Sequence, residues 1–262
     1  MTPTNAAGDS SSPAKAWGSD ELTNPHAVSD KATKVRGMFG AIAQSYDINN
    51  RVHSLWLDQS WRRSAVKAAK VKAGEHVLDV ACGTGDLTMA FARSPAAKVV
   101  GVDYTPQMLA VAETKRPGMG GEQNAKVSYE EGDAQALRFA DGSFDVVSIA
   151  FGIRNVVEPR KALAEFYRVL KPGGRLVILE FERPSIPPLS WFYDLYCGWI
   201  MPRTATLISA DKTGAYKYLP ASVGSFMGSK GLVEGMKAVG FAECGARSLT
   251  FGICHCIGGI KR

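Results

Sequence analysis

The chain lacks what several protein classes need. No run of apolar residues reaches the eighteen or so of a membrane-spanning helix. The first 33 residues contain no arginine but do contain Asp9, Asp20, Glu21 and Asp30, which is unlike a transit peptide, and they hold no apolar core of a secretory signal. Cysteines at 82, 197, 244, 254 and 256 are odd in number and form no C-x-x-C pair, so reduced thiols in a cytoplasmic protein are expected. With only four histidines there is no convincing ligand cluster, and no metal is expected. Cys254-His255-Cys256 tempts toward one, but strand alternation would point the cysteines to one face and His255 to the other, as core packing does.

Basic residues exceed acidic ones, 31 to 25, for a net charge of +6 and a pI near 9.0. They are spread along the chain without a dense block, which favours a solvated basic surface over a nucleic-acid site. Attraction to an anionic membrane surface fits the same charge without being established by it. The 262 residues, 45% hydrophobic and 21% charged, suffice for one full-sized core. Residues 1–33 are rich in Ser, Ala, Thr, Pro and Asn without apolar periodicity, so a disordered tail is expected there and one domain over 34–262.

The informative stretch is HVLDVACGTG, from His76 to Gly85. Val77, Leu78, Val80 and Ala81 predict a strand buried on both faces of a parallel sheet. Gly83-Thr84-Gly85 predicts a tight turn, and Asp86 with Thr88 could cap a helix beginning near Leu87. A dinucleotide site wants a third glycine where this chain has Thr88. Asp79, inside the strand, would repel a pyrophosphate and hold an amine or hydroxyl. Asp103 closes a second apolar run, Val99 to Val102, where a carboxylate can accept hydrogen bonds from both ribose hydroxyls, at about 1.5–3 kcal/mol for a charged bond. The glycines alone would fit a ligand-free turn; Asp79, Thr88 and Asp103 together favour a nucleoside ligand.

Helices are predicted from Val35 to Tyr46 and from Gln59 to Lys70, the latter capped by Asp58, with Asn49-Asn50 breaking the pattern between them. They could be simple packing helices or a lid (34–72) carrying Tyr46 and Asp47 inward, and both can hold. Further on, a helix follows Thr105-Pro106, with the threonine as cap, and Gly118 to Gly121 make a loop. Strands are expected over Lys126–Glu130, Phe144–Ala150 and Arg175–Glu180, with a helix from Pro159 stopped by KPGG. Asp133-Ala134 falls at a strand's carboxyl end, where ligands bind in open α/β sheets; a carboxylate there can accept an adenine amino group, or simply make an Asx-turn. Residues 183–219 hold Trp191, Phe192, Tyr193, Tyr196 and Trp199 around Asp194, an amphipathic cover that fits either sheet packing or a lipid-like substrate.

DVACGTG followed by GVDYTPQML resembles the cofactor site of class I S-adenosylmethionine methyltransferases. MFGAIAQSYDINN, LDVACGTGDLT, FGIRNV with YRVLKPGG, and YKYLPASV narrow the resemblance to the ubiquinone and menaquinone biosynthesis C-methyltransferases, from about residue 35 to the end. The resemblance implies a Rossmann-like α/β fold, with a seven-stranded, mostly parallel sheet, helices on both faces and an N-terminal helical lid. It implies S-adenosyl-L-methionine held at Thr88, Asp103, Asp133 and Ala134, beside Asp79, Gly83 and Gly85 as read above. It also implies C-methylation of a prenylated quinol, in which Arg154 favours the phenolate, Asn155 holds the second oxygen, and Tyr46 and Asp47 contact cofactor or ring. Peripheral contact with the inner face of a membrane and a homodimer are both compatible with it. Three positions depart from the family pattern: Ala150 where Ser is frequent, Met227 where Pro follows Phe, and Trp56 where a small residue is usual. A methyltransferase for another lipid-like molecule, or a cofactor-binding scaffold subunit, remains an alternative. A nicotinamide-dependent dehydrogenase is opposed by Thr88.

Overall fold

A computed structural model describes residues 16–118 and 120–262. The chain first makes two short 3-10 turns, Glu21–Thr23 and Pro25–Ala27, and then three helices, α1 (Lys31–Ile42), α2 (Tyr46–Ser54) and α3 (Leu57–Ala69). Alternating strands and helices follow: β1 (His76–Val80), α4 (Asp86–Ala92), β2 (Lys98–Asp103), α5 (Pro106–Lys115), α6 (Gly121–Lys126), β3 (Val127–Glu131), β4 (Phe144–Ala150), α7 (Pro159–Val169) and β5 (Leu170–Phe181). Next come α8 (Leu189–Leu195), a π-helical turn over Tyr196–Ile200, α9 (Met201–Ser209), α10 (Ala215–Ser225) and α11 (Gly228–Val239), and the chain closes with β6 (Phe241–Leu249) and β7 (Cys254–Lys261).

The strands form one sheet in the order β3-β2-β1-β4-β5-β7-β6, parallel except for β7, which runs antiparallel to β5 and β6. Strand order reverses between β1 and β4, and ligands bind outside the carboxyl ends at such a switch point. Side-chain alternation sorts the core into two layers. Leu78, Val147, Ile149 and Ile178 pack with Leu163 and Phe166 of α7 and Leu232 of α11. On the other face Val77, Val99, Val146 and Val177 pack with Trp61 of α3 and Phe91 of α4.

The local differences from the sequence-based expectation have physical reasons. The segment after Asn49 is helical rather than a break, because Asn49 is buried and its amide donates to the Ser45 carbonyl inside the turn. Helix α3 begins two residues early, so Asp58 lies inside it and pairs with Arg62 at 2.7 Å instead of capping. Thr105 and Asp86 do not cap their helices either, since no side-chain cap bond forms at α4 or α5. KPGG belongs to β5, which starts at Leu170. Part of the expected tail, residues 1–15, lies outside the described residues. The rest of it packs: Trp17 stacks on Tyr218 with ring centroids 4.5 Å apart and joins a third core with Met38, Ile42 and Tyr216. Leu22 and Val28 pack against the same core, so a segment polar in composition still carries the apolar contacts that order it.

Gly85 shows why glycine is needed in the first turn. It sits at φ +81°, and a Cβ there would collide with the Tyr129 hydroxyl. Gly85→Ala is expected to cost about 2–4 kcal/mol, from left-handed backbone and overpacking together. Gly85→Ala/Tyr129→Phe should recover only the overpacking part, which urea unfolding of the two variants would measure.

Candidate functional site

At the carboxyl ends of β1 and β4 two non-glycine residues hold left-handed backbone, Ala81 at φ 51° and Phe151 at φ 58°. Such strain costs of order 1–3 kcal/mol each and persists where surrounding structure over-determines it. Here the surroundings are close: a Cβ on Gly152 would lie 2.5 Å from the Ala81 Cβ. Between these strand ends and the helical lid open two cavities.

The first, about 110 Å³, lies over the carboxyl edge and is lined by Gly83, Asp103, Asp133, Ala134 and Asn155, with Val35, Phe39 and Tyr46 of the lid as its roof. Gly83, at φ +55°, has nothing within 4 Å of where a Cβ would stand, so a side chain would project into open space. Asp103 accepts the Gly83 amide at 2.8 Å through Oδ2 and the Thr105 amide at 2.8 Å through Oδ1. Burial pushes its carboxyl above the usual range, against the pull of these backbone donors. Each oxygen keeps a second lone pair, as a diol-binding carboxylate needs. Asp133 both makes the Asx-turn, accepting the Gln135 amide at 2.8 Å, and lines the cavity, so its two readings are compatible.

Three of the predicted binding residues stand behind this cavity and not in its lining. Thr88 Oγ1 donates to Asp79 Oδ2 at 2.6 Å, and Asp79 Oδ1 is buried without a partner among the described residues. Burial raises the Asp79 carboxyl to about 7. Gly85 packs on Tyr129, as above. Asp47 lines neither cavity; it accepts from Thr84 Oγ1 at 2.6 Å and pairs with Lys115. Beside it Asp86 pairs with Arg51 at 3.0 Å and with Lys115 at 2.7 Å. These contacts fasten α2 to the glycine turn and to α5.

The second cavity, about 370 Å³, is mainly apolar and is walled by Trp61, Phe181, Tyr193 and Leu219 among others. Phe39, Tyr46 and Phe151 line both cavities, so the two adjoin across these rings. Burial, first of all, raises the Tyr46 phenol above its ordinary value and keeps it protonated. Leu55, at 81% exposure, marks an apolar mouth.

Arg154 reaches the apolar cavity, whereas its neighbour Asn155 faces the first one. Arg154 is only 3% exposed. Its Nη1 donates to Glu180 Oε1 at 2.6 Å and to the Phe151 carbonyl at 2.7 Å, and its Nε donates to Ser222 Oγ at 3.3 Å. Asn155 Oδ1 accepts from the Tyr218 hydroxyl at 3.0 Å. FGIRNV and YKYLPASV, far apart in sequence, thus interlock at one point. Glu180, Ser222 and Tyr218 were not singled out as site residues from the sequence. The only hint for Glu180 was a carboxylate at the end of an otherwise apolar strand.

The arrangement offers a polar cleft suited to a nucleoside beside an apolar chamber suited to a ring with a hydrocarbon tail. Comparison with known proteins agrees. Residues 27–261 match the model of the ubiE/COQ5 methyltransferase family. A demethylmenaquinone methyltransferase of Deinococcus radiodurans is 44% identical over 234 residues, covering 89% of this chain and 95% of that one. A ubiquinone/menaquinone biosynthesis C-methyltransferase UbiE of Geobacter sulfurreducens is 40% identical over 244 residues, covering 92% and 94%. Among solved structures, a SAM-dependent methyltransferase of Thermotoga maritima shares the fold at TM-score 0.61 and 21% identity, over 87% of this chain and 100% of that one.

Two stability predictions follow from the buried groups. Folded Asp79 keeps its proton to about pH 7, while the unfolded chain loses it near the ordinary 3.8. The native state therefore binds more protons between these values, and stability falls as pH rises through that window. Asp79→Asn should flatten the fall by up to about 4 kcal/mol in urea titrations at pH 4 and pH 7. Glu180→Gln, which leaves the Arg154 charge buried without its counter-ion, should cost about 3–5 kcal/mol; a loss under 1 kcal/mol would mean the pair is not what holds the turn.

Proposed function

This chain belongs to the ubiE/COQ5 methyltransferase family, and from that premise we propose that it transfers a methyl group from S-adenosyl-L-methionine to a ring carbon of a prenylated quinol, as in demethylmenaquinol to menaquinol. The observation that carries this reading is the adjoining pair of cavities, one polar at the strand ends and one apolar, meeting at Tyr46 and Phe151.

The residues fit the cofactor on structural grounds. The Asp103 carboxylate has lone pairs to spare for ribose hydroxyls, the open side of Gly83 leaves room for close approach, and Asp133 with Ala134 stands where an adenine edge would be read. When bound, S-adenosylmethionine supplies an electrophilic methyl group on sulfur. Everything else falls to the chain. A ring carbon becomes nucleophilic when the neighbouring hydroxyl loses its proton, so the apolar chamber must favour a phenolate. Arg154 is placed for this: among the described residues no partner holds its Nη2, which leaves donors for a ring oxygen. Because Glu180 offsets most of its charge, Arg154 contributes directed hydrogen bonds more than net potential. Asn155, bonded to Tyr218 and facing the cofactor side, orients the turn rather than the second quinol oxygen. Tyr46 and Phe151 pack the boundary and exclude water from it.

The prenyl chain has an exit. Leu55 and Leu57 line the chamber and are exposed, and Trp56, Trp191, Phe192 and Trp199 are exposed as well, on the turn between α2 and α3, on α8 and on the turn after it. His53 of α2 lies 2.9 Å from the Tyr196 hydroxyl, which ties the two segments into one face. In this reading that face rests on a bilayer, aromatic rings at the interface. No helix of the described residues is long and apolar enough to cross a membrane.

The purified protein should move label from S-adenosylmethionine to chemically reduced demethylmenaquinone or to the demethylated ubiquinone precursor, and Arg154→Lys, which keeps a charge beside Glu180 but loses the forked donors, should lower kcat by about tenfold or more with cofactor affinity retained. Label in neither quinol, with cofactor bound, would contradict the reading. Trp191→Ser/Phe192→Ser should weaken sedimentation with anionic vesicles while leaving turnover of a short-tailed quinol within about threefold. Vesicle binding unchanged by that pair would remove the membrane face from the proposal.

A further inference from the structure

The charges around the 154–156 turn leave one cation over. Arg154 is matched by Glu180 at 2.6 Å and Arg62, across the chamber, by Asp58 at 2.7 Å. Lys31 at the start of α1 is 1% exposed and has no such match. Its Nζ donates to the Arg154 carbonyl at 2.9 Å and to the Val156 carbonyl at 2.7 Å, and lies 3.2 Å from His26 Nδ1. His26 Nε2 stands 2.9 Å from the Ser222 carbonyl. A carbonyl only accepts, so the ring proton is on Nε2 and Nδ1 presents a lone pair to the ammonium. Three N–H donors therefore meet three acceptors, all of them neutral. Among the described residues no carboxylate is a partner of Lys31.

We propose that Lys31 is the uncompensated cation of this site, a positioning residue that fixes the 154–156 turn and supplies the net positive potential under which a bound phenol ionises. The proposal deepens the function proposed above and rests on it. Lys31 lines neither cavity, so it acts through the turn and through its field, not by touching the ring. In a low-dielectric interior an unmatched charge is felt well beyond contact distance, whereas a matched pair is felt mainly at close range.

Burial, and then the charge of Arg154, lower the Lys31 ammonium to about 8. His26 is pushed below its ordinary value by burial first and stays neutral above it. On α2 and α10, Tyr46 and Tyr218 are raised by burial and stay protonated. On α1 itself Lys34 pairs with Glu21 and lies 4.0 Å from Asp30. As pH rises through about 8 the potential is lost and phenol ionisation becomes harder. Stability moves the other way. The unfolded lysine holds its proton to near 10.5, so the unfolded state binds more protons over that interval and folding is favoured as pH climbs. A lysine acting through the turn alone would leave the ionisation of a bound phenol unmoved there.

The test uses the full chain loaded with S-adenosylhomocysteine and 1-naphthol as a probe, its phenolate read by absorbance across pH. The wild type should lower the probe's apparent pKa, Lys31→Gln should return it upward by about one unit (about tenfold less phenolate), and Lys31→Arg should hold it low. Methyl transfer should follow: kcat falls in Lys31→Gln with KM for S-adenosylmethionine within about twofold, and the wild-type decline above about pH 8 is absent in Lys31→Arg. Equal probe pKa in wild type and Lys31→Gln overturns the proposal and leaves the proposed function standing. Should Lys31→Gln fail to fold, an unaltered decline in Lys31→Arg overturns it instead. A wild type that binds no naphthol contradicts the proposed function itself, and this inference with it.

Discussion

Arg154 and Glu180 are both almost wholly withdrawn from water, and charges so placed are tolerated only together. Their 2.6 Å contact is where the strand scaffold and the lid converge. Glu180 comes from β5, Arg154 from the turn after β4, Ser222 from α10, and Lys31 of α1 holds the carbonyls of that same turn. Breaking the pair would leave a bare charge in an apolar surround, a penalty larger than most single packing defects. The turn's shape, and with it the placing of Phe151 and Asn155, depends on that constraint. The ion pair is thus a specificity device for the site more than a net source of stability.

The same turn explains why two unlike cavities adjoin. The parallel sheet delivers backbone polar groups and carboxylates at its carboxyl edge, at Gly83, Asp103 and Asp133. The lid and the cover from α8 to α10 deliver aromatic and aliphatic walls. A substrate with one polar ring and a long apolar tail needs both, and the boundary of Tyr46 and Phe151 is where its ring would meet the methyl group. Ion pairs of Asp47 and Asp86 with Lys115 and Arg51 fasten α2 to the glycine turn and to α5, and the partly exposed ones weaken with salt.

Much of the scaffold was legible because it depends on local patterns. The apolar run at 77–80, Asp103 at the end of the next run and the strand at 144–150 are all placed as the sequence suggests. What escaped depends on partners distant in sequence. Asp86 and Asp58 look like caps, and become ion-pair members only when Lys115, Arg51 or Arg62 is folded against them. Lys31 lies in a polar stretch whose partners are distant in sequence, among them Arg154, Val156 and, for Trp17, the stacked Tyr218. Thr88, a cofactor contact by the family resemblance, also donates to Asp79, and Gly85 of the glycine turn also makes room for Tyr129, contacts that depend on partners no local pattern shows. Trp56, a departure from the family pattern, adopts φ 63°, where only glycine would be free of strain, and is exposed between Leu55 and Leu57 at the chamber mouth.

The central claim is that the two cavities are halves of one reaction site joined at Tyr46 and Phe151. Its most direct test is a crystal structure of the chain with S-adenosylhomocysteine and a short-tailed naphthoquinol bound together. The account predicts the cofactor's ribose on Asp103, the ring between Tyr46, Phe151 and Arg154, and the tail leaving past Leu55. A ring bound outside the apolar chamber, or a cofactor whose sulfur faces away from the Tyr46–Phe151 boundary, would contradict it.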